Sequence, residues 1–563
     1  MKLKIFKNKI ALSAEEKLSL RKERFLLILS GALIGIGFPP FPFPFTIFLF
    51  VGLIPYFYVI GKKETLGEIN RLTYLTFFVF SVITLYWVGS WQKQSDPFLM
   101  ISGALLLFVN PLFFLIPSTL LYFARKIFPK RNVIFLFPFF WAAYEYLYMI
   151  TDLSFPWLTL GNGLAKFTVF IQAADIVGAV GLSIILIYIN IFLYRSIVNI
   201  KSSKKKFTFN FVTSLVIFVI VISYGLYRLK TFKVTNAKIK VGLIQPNLNP
   251  WDKWNTNLDS LTNFYLDLSQ KAVNKGAKLI IWPETALPVF LMDGSHGQIV
   301  NTIYRFIQKN NVYLLTGMPD FIYYFKGEEK PSDAIENKRG DYYYTTYNGI
   351  LLFSPDSWSV QRYGKMKLVP FAERTPFVDK IPFLGDLIKW GVGISGWNVG
   401  KDTINFSLPA KISDSASQKI FSKDSIHING LVCYESIFPY FVANFVQRGA
   451  EIITVVTNDS WWGKSSGPYQ HEDISILRAI ENRRTVVHAA NGGISCIINP
   501  LGEIKTQSKL FTKTFIVGDV PLENVETLFT KYPLIFPVIS SGISLWVFGF
   551  FFLLKLKKKL FKD

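Results

Sequence analysis

Runs of roughly 20 apolar residues leave a chain few folding options, because a segment of that length with almost no charge matches the hydrocarbon thickness of a bilayer. Such runs occupy residues 25–43, 44–61, 72–92, 97–123, 133–150, 168–194 and 210–227, and one more occupies 532–554. They read as eight candidate spans, seven before the middle of the chain and one after it. The basic stretch before Phe25 resembles the start of a signal peptide. No small-residue cleavage site follows it, however, and Pro39-Pro40-Phe41-Pro42 does, so the first run is read as a retained span.

Charge decides which side each end faces, since Lys and Arg near span ends stay cytoplasmic. The amino-terminal tail carries Lys2, Lys4, Lys7, Lys9, Lys17, Arg21, Lys22 and Arg24. Every second connection is basic again: Lys62, Lys63 and Arg71, then Arg125, Lys126, Lys130 and Arg131, then Arg195, Lys201, Lys204, Lys205 and Lys206. Lys555, Lys557, Lys558, Lys559 and Lys562 follow the last run, whereas the alternate connections hold only Lys93 and Lys166. Both tails are therefore expected in the cytoplasm, and an odd number of crossings puts the segment after Arg228 on the outer face. This alternation accounts for the net charge of +23 without a nucleic-acid partner. A chain that is 51% hydrophobic and 18% charged is not disordered either.

Between residues 235 and 530 the composition becomes that of a soluble α/β domain. Short β-rich runs at Ile239–Ile244, Leu279–Trp282, Val312–Gly317, Tyr347–Phe353, Ile428–Cys433, Ile452–Thr457, Val486–Ala490 and Ile494–Ile498 alternate with helical patterns at 256–274, 298–309, 437–447 and 470–484. Two irregular insertions are expected, a charged and mobile one at 326–343 and a longer one at 374–425. The expected organisation is a basic cytoplasmic tail at 1–24, a transmembrane domain of seven spans within 25–230 and an extracytoplasmic domain at 235–530. An eighth span at 532–554 and a basic cytoplasmic tail at 555–563 complete it.

Two cysteines are too few for a disulfide framework. Cys496, inside an apolar strand, reads as core. Cys433 ends the strand His427-Ile-Asn-Gly-Leu-Val-Cys just before a helical stretch, where a thiol pKa falls and backbone N–H groups are ready for an oxyanion. Spacing alone leaves catalysis and a buried inert thiol as equal readings. The four histidines, His296, His427, His471 and His488, show no metal-type pairing, and none has a neighbourhood that singles it out. Glu284 closes the strand Leu279-Ile-Ile-Trp-Pro-Glu, placing a carboxylate where it can serve as a base. Lys365 opens Lys-Met-Lys-Leu-Val-Pro-Phe-Ala-Glu373, and an ammonium beside a thiol favours the thiolate and a developing oxyanion. Each alone reads first as a salt-bridged surface group.

Trp282-Pro-Glu284, Lys365 with Leu368-Val-Pro-Phe-Ala-Glu373, and Cys433-Tyr-Glu435-Ser together resemble the Glu-Lys-Cys set of the carbon–nitrogen hydrolase (nitrilase) superfamily. With the spans, the chain resembles its membrane-embedded branch, the apolipoprotein N-acyltransferases. Gly35-Ile-Gly-Phe-Pro-Pro, Phe155-Pro-Trp157 with Gly161, Gln172-Ala-Ala-Asp175, Gly181-Leu-Ser183 and Gln245-Pro-Asn247 match as well. So do Asn458-Asp-Ser-Trp-Trp-Gly463, Gln470-His, Arg478-Ala-Ile-Glu481-Asn-Arg483 and Asn491-Gly-Gly-Ile-Ser495, so the likeness spans nearly the whole chain. Ala372 where glycine is expected, Arg374-Thr-Pro-Phe, and glycine in place of threonine in Asn491-Gly-Gly depart from the pattern without removing a triad group.

The resemblance implies a multi-span α-helical membrane domain plus a nitrilase-like αββα sandwich. It implies Glu284 as general base, Lys365 as oxyanion stabiliser and Cys433 as nucleophile, with Glu373, Tyr434, Glu435, Asn348 and Trp254 supporting the pocket. The implied reaction is acyl transfer from a membrane phospholipid, through a Cys433 thioester, to the α-amino group of a diacylglyceryl apolipoprotein. No cofactor or metal and no nucleic acid are implied. A monomer in the bacterial cytoplasmic (inner) membrane is expected. The segment 374–399, with Phe377, Phe383, Leu387 and Trp390 among prolines and glycines, is suited to be a lipid-contacting arm or simply to pack on the domain. A membrane-tethered amidase or nitrile hydrolase and a transporter or scaffold are the competing readings. A water-soluble substrate requires no eight spans, and ionisable span residues, chiefly Glu145 and Asp175, are sparse for an ion-coupled path.

Overall fold

The computed structural model describes residues 13–129, 132–337, 340–378, 381, 396–413 and 424–560. Among these described residues, seven stretches are long and apolar enough to cross a membrane: Phe43–Ile60, Leu66–Gly89, Pro97–Ile127, Val133–Ile150, Ala174–Asn199, Lys204–Thr231 and Ile535–Leu560. The helix Ala14–Gly37 packs along them. It starts at Ser13, whose hydroxyl accepts the Glu16 N–H while Glu16 reaches back to the Ser13 N–H. Its first turns are charged, and only the part from Phe25 onward is apolar, which is where the sequence places the first span.

Small residues bring these helices close, as expected where lipid tails offer no hydrophobic gain from helix pairing. A Cβ at Gly31 would lie 2.3 Å from the Thr76 carbonyl, and one at Gly35 would lie 2.9 Å from Ile83. Oε1 of the buried Glu145 accepts from Trp141 Nε1, the Leu160 N–H and Ser183 Oγ, tying three segments of the bundle together.

The second half is a sandwich of two sheets. In chain order the strands are β1 Lys238–Gln245, β2 Leu279–Trp282, β3 Tyr313–Phe325, β4 Ile335–Asn337, β5 Tyr342–Ser354, β6 Ser357–Gly364, β7 Asn405–Pro409, β8 Ser425–Asn429, β9 Leu431–Val432, β10 Ile452–Thr457, β11 Thr485–Ala490, β12 Cys496–Ile498, β13 Ile504–Gln507 and β14 Thr514–Pro521. One sheet runs β14-β1-β2-β3-β5-β4 with β6 on β5, and the other runs β13-β12-β11-β10-β8-β7 with β9 on β10. Each has a parallel centre, β1-β2-β3 and β8-β10-β11, flanked by antiparallel strands. Such central strands are buried on both faces and read as unbroken apolar runs. Val241, Leu243, Leu279, Ile281 and Leu315 join the core shared with Val455, Val486 and Ile497 of the second sheet. The alternate residues Ile244, Ile280, Trp282 and Leu314 pack on Leu261, Tyr265 and Ile303 of the outer helices Leu258–Asn274 and Gly297–Asn310.

The second sheet carries the helix Gly467–Asn482, whose far side meets the membrane bundle. Gln470 accepts from Trp87 Nε1 at 3.0 Å and Trp157 Nε1 at 2.7 Å, and donates to the Pro39 and Thr84 carbonyls. Glu481 accepts the Ala179 N–H, and Lys166 pairs with Asp473 at 3.0 Å. Arg483 contacts Asp175 at 2.6 Å and Gln172 at 2.7 Å, and Asp175 also takes Arg228 and Tyr224. The motifs Phe155-Pro-Trp157, Gln172-Ala-Ala-Asp175, Gln470-His and Arg478–Arg483 are therefore largely the seam between the two halves.

The sequence misplaces part of the sheet. The 326–343 insertion expected to be mobile holds β4 and the start of β5, and β3 and β5 pair from Leu314–Phe353 out to Phe325–Tyr342. Tyr and Phe dominate this hairpin and favour extended backbone, whereas the surrounding lysines and glutamates read as loop. Within 374–425, β7 pairs with β8.

Asp175→Ala leaves the fully buried Arg483 guanidinium without its carboxylate, a change that costs about 3–5 kcal/mol in buried pairs. The thermal midpoint of the detergent-purified variant, followed by tryptophan fluorescence, should fall by several degrees. An unchanged midpoint would show that the seam does not depend on this pair.

Candidate active site

Parallel strands end on the same side, and ligands gather where their carboxyl ends meet. Here β1 delivers Asn247, β2 delivers Glu284, β9 delivers Cys433, β10 delivers Asn458 and Asp459, and β11 delivers Asn491. Hydrogen bonds knit these ends together: Asn491 Nδ2 donates to Asn458 Oδ1, and the Asn458 N–H donates to Glu284 Oε2 at 3.0 Å. Gln245 holds the rim from the other side, accepting from Ser495 and Ser508 and donating to the Lys509 and Thr512 carbonyls. The glycine at 492, a departure from the family pattern, fits its place: φ is +67° and a Cβ would sit 2.3 Å from Ser460 Oγ.

Cys433 opens a tight turn over 433–437 with φ of +50°, a left-handed conformation that costs a non-glycine residue of order 1 kcal/mol or more. Glu435 holds it there. Its carboxylate accepts from the Val432 N–H, Tyr363 Oη and the N–H groups of Met366 and Lys367, at 2.7 to 3.1 Å. One buried side chain thus fastens the cysteine turn to the loop that carries Lys365.

Lys365 Nζ lies 2.8 Å from Glu373 Oε1 and 3.7 Å from Glu284 Oε1. Asn348 Nδ2 donates to both carboxylates, at 2.9 and 2.7 Å, and Glu373 accepts the Val369 N–H through its other oxygen. All four side chains are buried. Burial alone would lower the Lys365 ammonium, but Glu373 and Glu284 outweigh it and hold the group above its ordinary range. Burial pushes the Glu284 carboxyl up, opposed chiefly by Lys365. Burial and then Glu284 push the Cys433 thiol well up, with Lys365 pulling the other way. The resting pair is a protonated thiol near a carboxylate that binds protons more tightly than an exposed one, the arrangement a proton transfer needs.

The pocket beside these groups is lined by Glu284, Glu373, Lys253 and three indoles, Trp254, Trp397 and Trp461. Glu284, Lys365, Cys433, Glu373, Asn348, Trp254 and Glu435 are thus brought together. Tyr434 sits beside them but points to the bundle, donating to the Ser154 carbonyl. Phe377 is an exposed loop residue whose N–H meets Asp152 at 3.2 Å, and Phe383, Leu387 and Trp390 lie outside the described residues.

Two features escaped the sequence. Lys253 is buried at the pocket, donates to the Thr285 carbonyl and is pulled down to about 7 by burial against the opposing pull of Glu284. Its one signal in the sequence is its place in Trp251-Asp-Lys-Trp254, next to the implied pocket residue Trp254. His471, which no neighbour singled out in the sequence, pairs with Asp459 at 2.9 Å under Cys433. Donor atoms of Cys433, Asp459 and His471 lie within 4.8 Å of one another, but Asp459 and His471 are already bonded to each other, which makes them a hydrogen-bonded chain rather than an open metal-ligand set.

Glu472, next along the helix, is buried, and its Oε1 has no partner among the described residues. Burial and then Asp473 raise its carboxyl from 4.5 to about 8. The folded chain therefore binds a proton that the unfolded chain releases, so this residue destabilises the fold progressively as pH rises from 4.5 to about 8, by up to about 1.4 kcal/mol per pH unit. Glu472→Gln should melt with the parent near pH 4.5 and several degrees above it near pH 9. Parallel melting curves across that range would refute the assignment.

The Carbon-nitrogen hydrolase family profile matches residues 240–528, and the profile of the Apolipoprotein N-acyltransferase N-terminal domain matches residues 30–192. The apolipoprotein N-acyltransferase of Chlorobaculum tepidum is 31% identical over 533 residues, covering 93% of this chain and 96% of its own. That of Geobacter metallireducens is 30% identical over 524 residues, with 91% and 92% covered. That of Rickettsia prowazekii is 28% identical over 522 residues, with 91% and 95% covered.

Proposed function

The chain belongs to the apolipoprotein N-acyltransferase family, multi-pass membrane acyltransferases that act on lipoproteins, and from that premise we propose how it works and on what. It takes an acyl chain from a membrane phospholipid and places it on the α-amino group of the amino-terminal diacylglyceryl-cysteine of an apolipoprotein, the last step of bacterial lipoprotein maturation. The observation that carries the mechanism is the buried ammonium of Lys365, held between Glu284 and Glu373 and close enough to Cys433 to act on its charge.

Glu284 takes the thiol proton as Cys433 Sγ attacks the ester carbonyl, and Lys365 stabilises the negative oxygen of the tetrahedral intermediate. The intermediate collapses, Glu284 returns the proton to the departing glycerol oxygen, and a lysophospholipid leaves a thioester on Cys433. The α-amino group then attacks the thioester carbon and gives its proton to Glu284, which reprotonates the sulfur as the amide forms. Asn348 Oδ1, buried and without a hydrogen-bond partner among the described residues, is an acceptor open to that incoming amine. Glu373 orients Lys365, and Glu435 fixes the nucleophile turn.

The alternating basic loops support a bacterial inner-membrane location with both termini cytoplasmic and the catalytic domain, about 235–530, on the outer face. The chain acts as a monomer. The 374–399 segment, by its content of Phe377, Phe383, Leu387 and Trp390, contacts lipid and gates access to the pocket.

Purified protein given a phospholipid alone should carry one acyl adduct on Cys433 by mass spectrometry, and adding a diacylglyceryl peptide should discharge it to the peptide amine. Cys433→Ala should carry no adduct, whereas Cys496→Ala should match the parent. Glu284→Gln and Lys365→Met should slow adduct formation by roughly 10²–10⁴-fold. Transfer at the parental rate by Cys433→Ala would sink the mechanism.

A further inference from the structure

Beneath Cys433 lies a buried polar chain that the transfer chemistry does not use. His471, on the helix Gly467–Asn482, is fully buried, with Nε2 2.8 Å from Ser436 Oγ and Nδ1 2.9 Å from Asp459 Oδ1. The donor inventory fixes its protons. Ser436 has one hydroxyl proton, which goes to the Cys433 carbonyl at 2.8 Å, a group that can only accept. Nε2 of His471 must therefore donate to Ser436. Asp459 Oδ1 already accepts the Thr457 hydroxyl at 2.8 Å and so faces the ring as an acceptor, and Nδ1 must donate too. A ring that donates from both nitrogens is an imidazolium.

The surroundings suit a cation. The Trp157 indole lies with its ring centroid 5.6 Å from the His471 ring, close enough for cation–π attraction, and Trp462 flanks the ring at 6.1 Å. The neighbouring His488 ring, 4.8 Å away, is pulled below its ordinary range by burial, has Nδ1 on Ser475, and stands 3.8 Å from Asp459. The cysteine sulfur and the His471 and Asp459 donor atoms lie within 4.8 Å of one another. The other charges facing the sulfur are Glu284 and Asp459, which oppose a thiolate, and Lys365, which favours one.

We propose that His471 is a positioning residue of the transfer reaction, an imidazolium clamped between Asp459 and Ser436 that holds the Cys433 turn and cancels the Asp459 charge next to the thiolate. The inference rests on Cys433 being the nucleophile. Without the His471 charge, Asp459 would face the sulfur unopposed. Trp157, one of the two indoles beside the ring, comes from the membrane bundle, so its seating bears on the same cation.

The test reads the thiol directly. In full-length, detergent-solubilised protein carrying Cys496→Ser, the rate of Cys433 alkylation by iodoacetamide is followed by mass spectrometry from pH 5 to 11. His471→Gln keeps a donor but removes the charge, and should move the midpoint up by about one pH unit, a roughly tenfold loss of rate at neutral pH with the same plateau at high pH. Ser436→Ala removes the acceptor of Nε2 with little change in volume. It should shift the midpoint in the same direction, and it decides the matter if His471→Gln does not yield monodisperse protein. Midpoints within about 0.3 pH unit of the parent in whichever variants fold would overturn the proposal. An acyl adduct missing from Cys433 in the parent protein would instead overturn the nucleophile assignment, and the alkylation midpoints would still report on His471.

Discussion

A helix with almost no exposed face governs this molecule. In Gly467–Asn482 every residue except Tyr469 is buried, yet it carries Gln470, His471, Glu472, Asp473, Ser475, Arg478 and Glu481. A buried polar group left without a partner costs on the order of 1–3 kcal/mol, so this helix is stable only where both sides supply partners. The catalytic sheets supply Asp459 and His488, and the membrane bundle supplies Trp87, Trp157, Lys166 and the Ala179 N–H. The two halves are therefore one structure rather than a domain on a tether. That suits lipid-anchored substrates, for which each buried CH₂ contributes about 0.8 kcal/mol to staying in the membrane.

The same economy of charge shapes the site. Glu284, Glu373, Glu435 and Asp459 are all buried around Cys433. Three kinds of partner answer them. Glu435 is satisfied by three backbone N–H groups and a tyrosine, and needs no cation. Asp459 is answered by the histidines, and the two remaining glutamates share Lys365. Because Glu373 takes the short contact at 2.8 Å, Glu284 is left with the longer one at 3.7 Å and with Asn348 and Asn458 as donors, which keeps it available for a proton.

Much of this was legible in the residues, for identifiable reasons. The β2, β10 and β11 strands show as unbroken apolar runs because parallel strands are buried on both faces, and the spans show because a bilayer demands length. Glu284 and Cys433 could be placed at strand ends, but position alone did not join them to Lys365, since the three lie far apart in the chain and their convergence depends on two sheets meeting; only the family resemblance grouped them. His471 showed only as part of the Gln470-His match, with no sign of its role, for a related reason. Its partners Asp459 and Ser436 come from different segments, and a helix buried on all sides shows no amphipathic stripe to mark a special face. The β4 and β7 edges were lost because short edge strands are polar and resemble loops. The first span was only partly legible: the charged turns that begin the helix Ala14–Gly37 continue into the apolar run without a break that residue type alone would reveal.

The bundle does more than hold the catalytic domain at the bilayer. A tether needs one span, but here the loop that follows the helix Phe137–Ile150 rises to the turn of Cys433 itself. The Ser154 carbonyl accepts from Tyr434, the residue after Cys433, and Phe155 stacks on the same ring at 6.3 Å. Trp157 from that loop then lies against His471 and bonds Gln470. Glu145, inside the bundle, fixes the loop's far end by accepting the Leu160 N–H, and Ser183 links that contact to the helix Ala174–Asn199, which begins with Asp175 at the seam. A small-molecule hydrolase has no use for such wiring. The acyl transfer from lipid proposed above would use it, because the wall next to Cys433 then belongs to the membrane part.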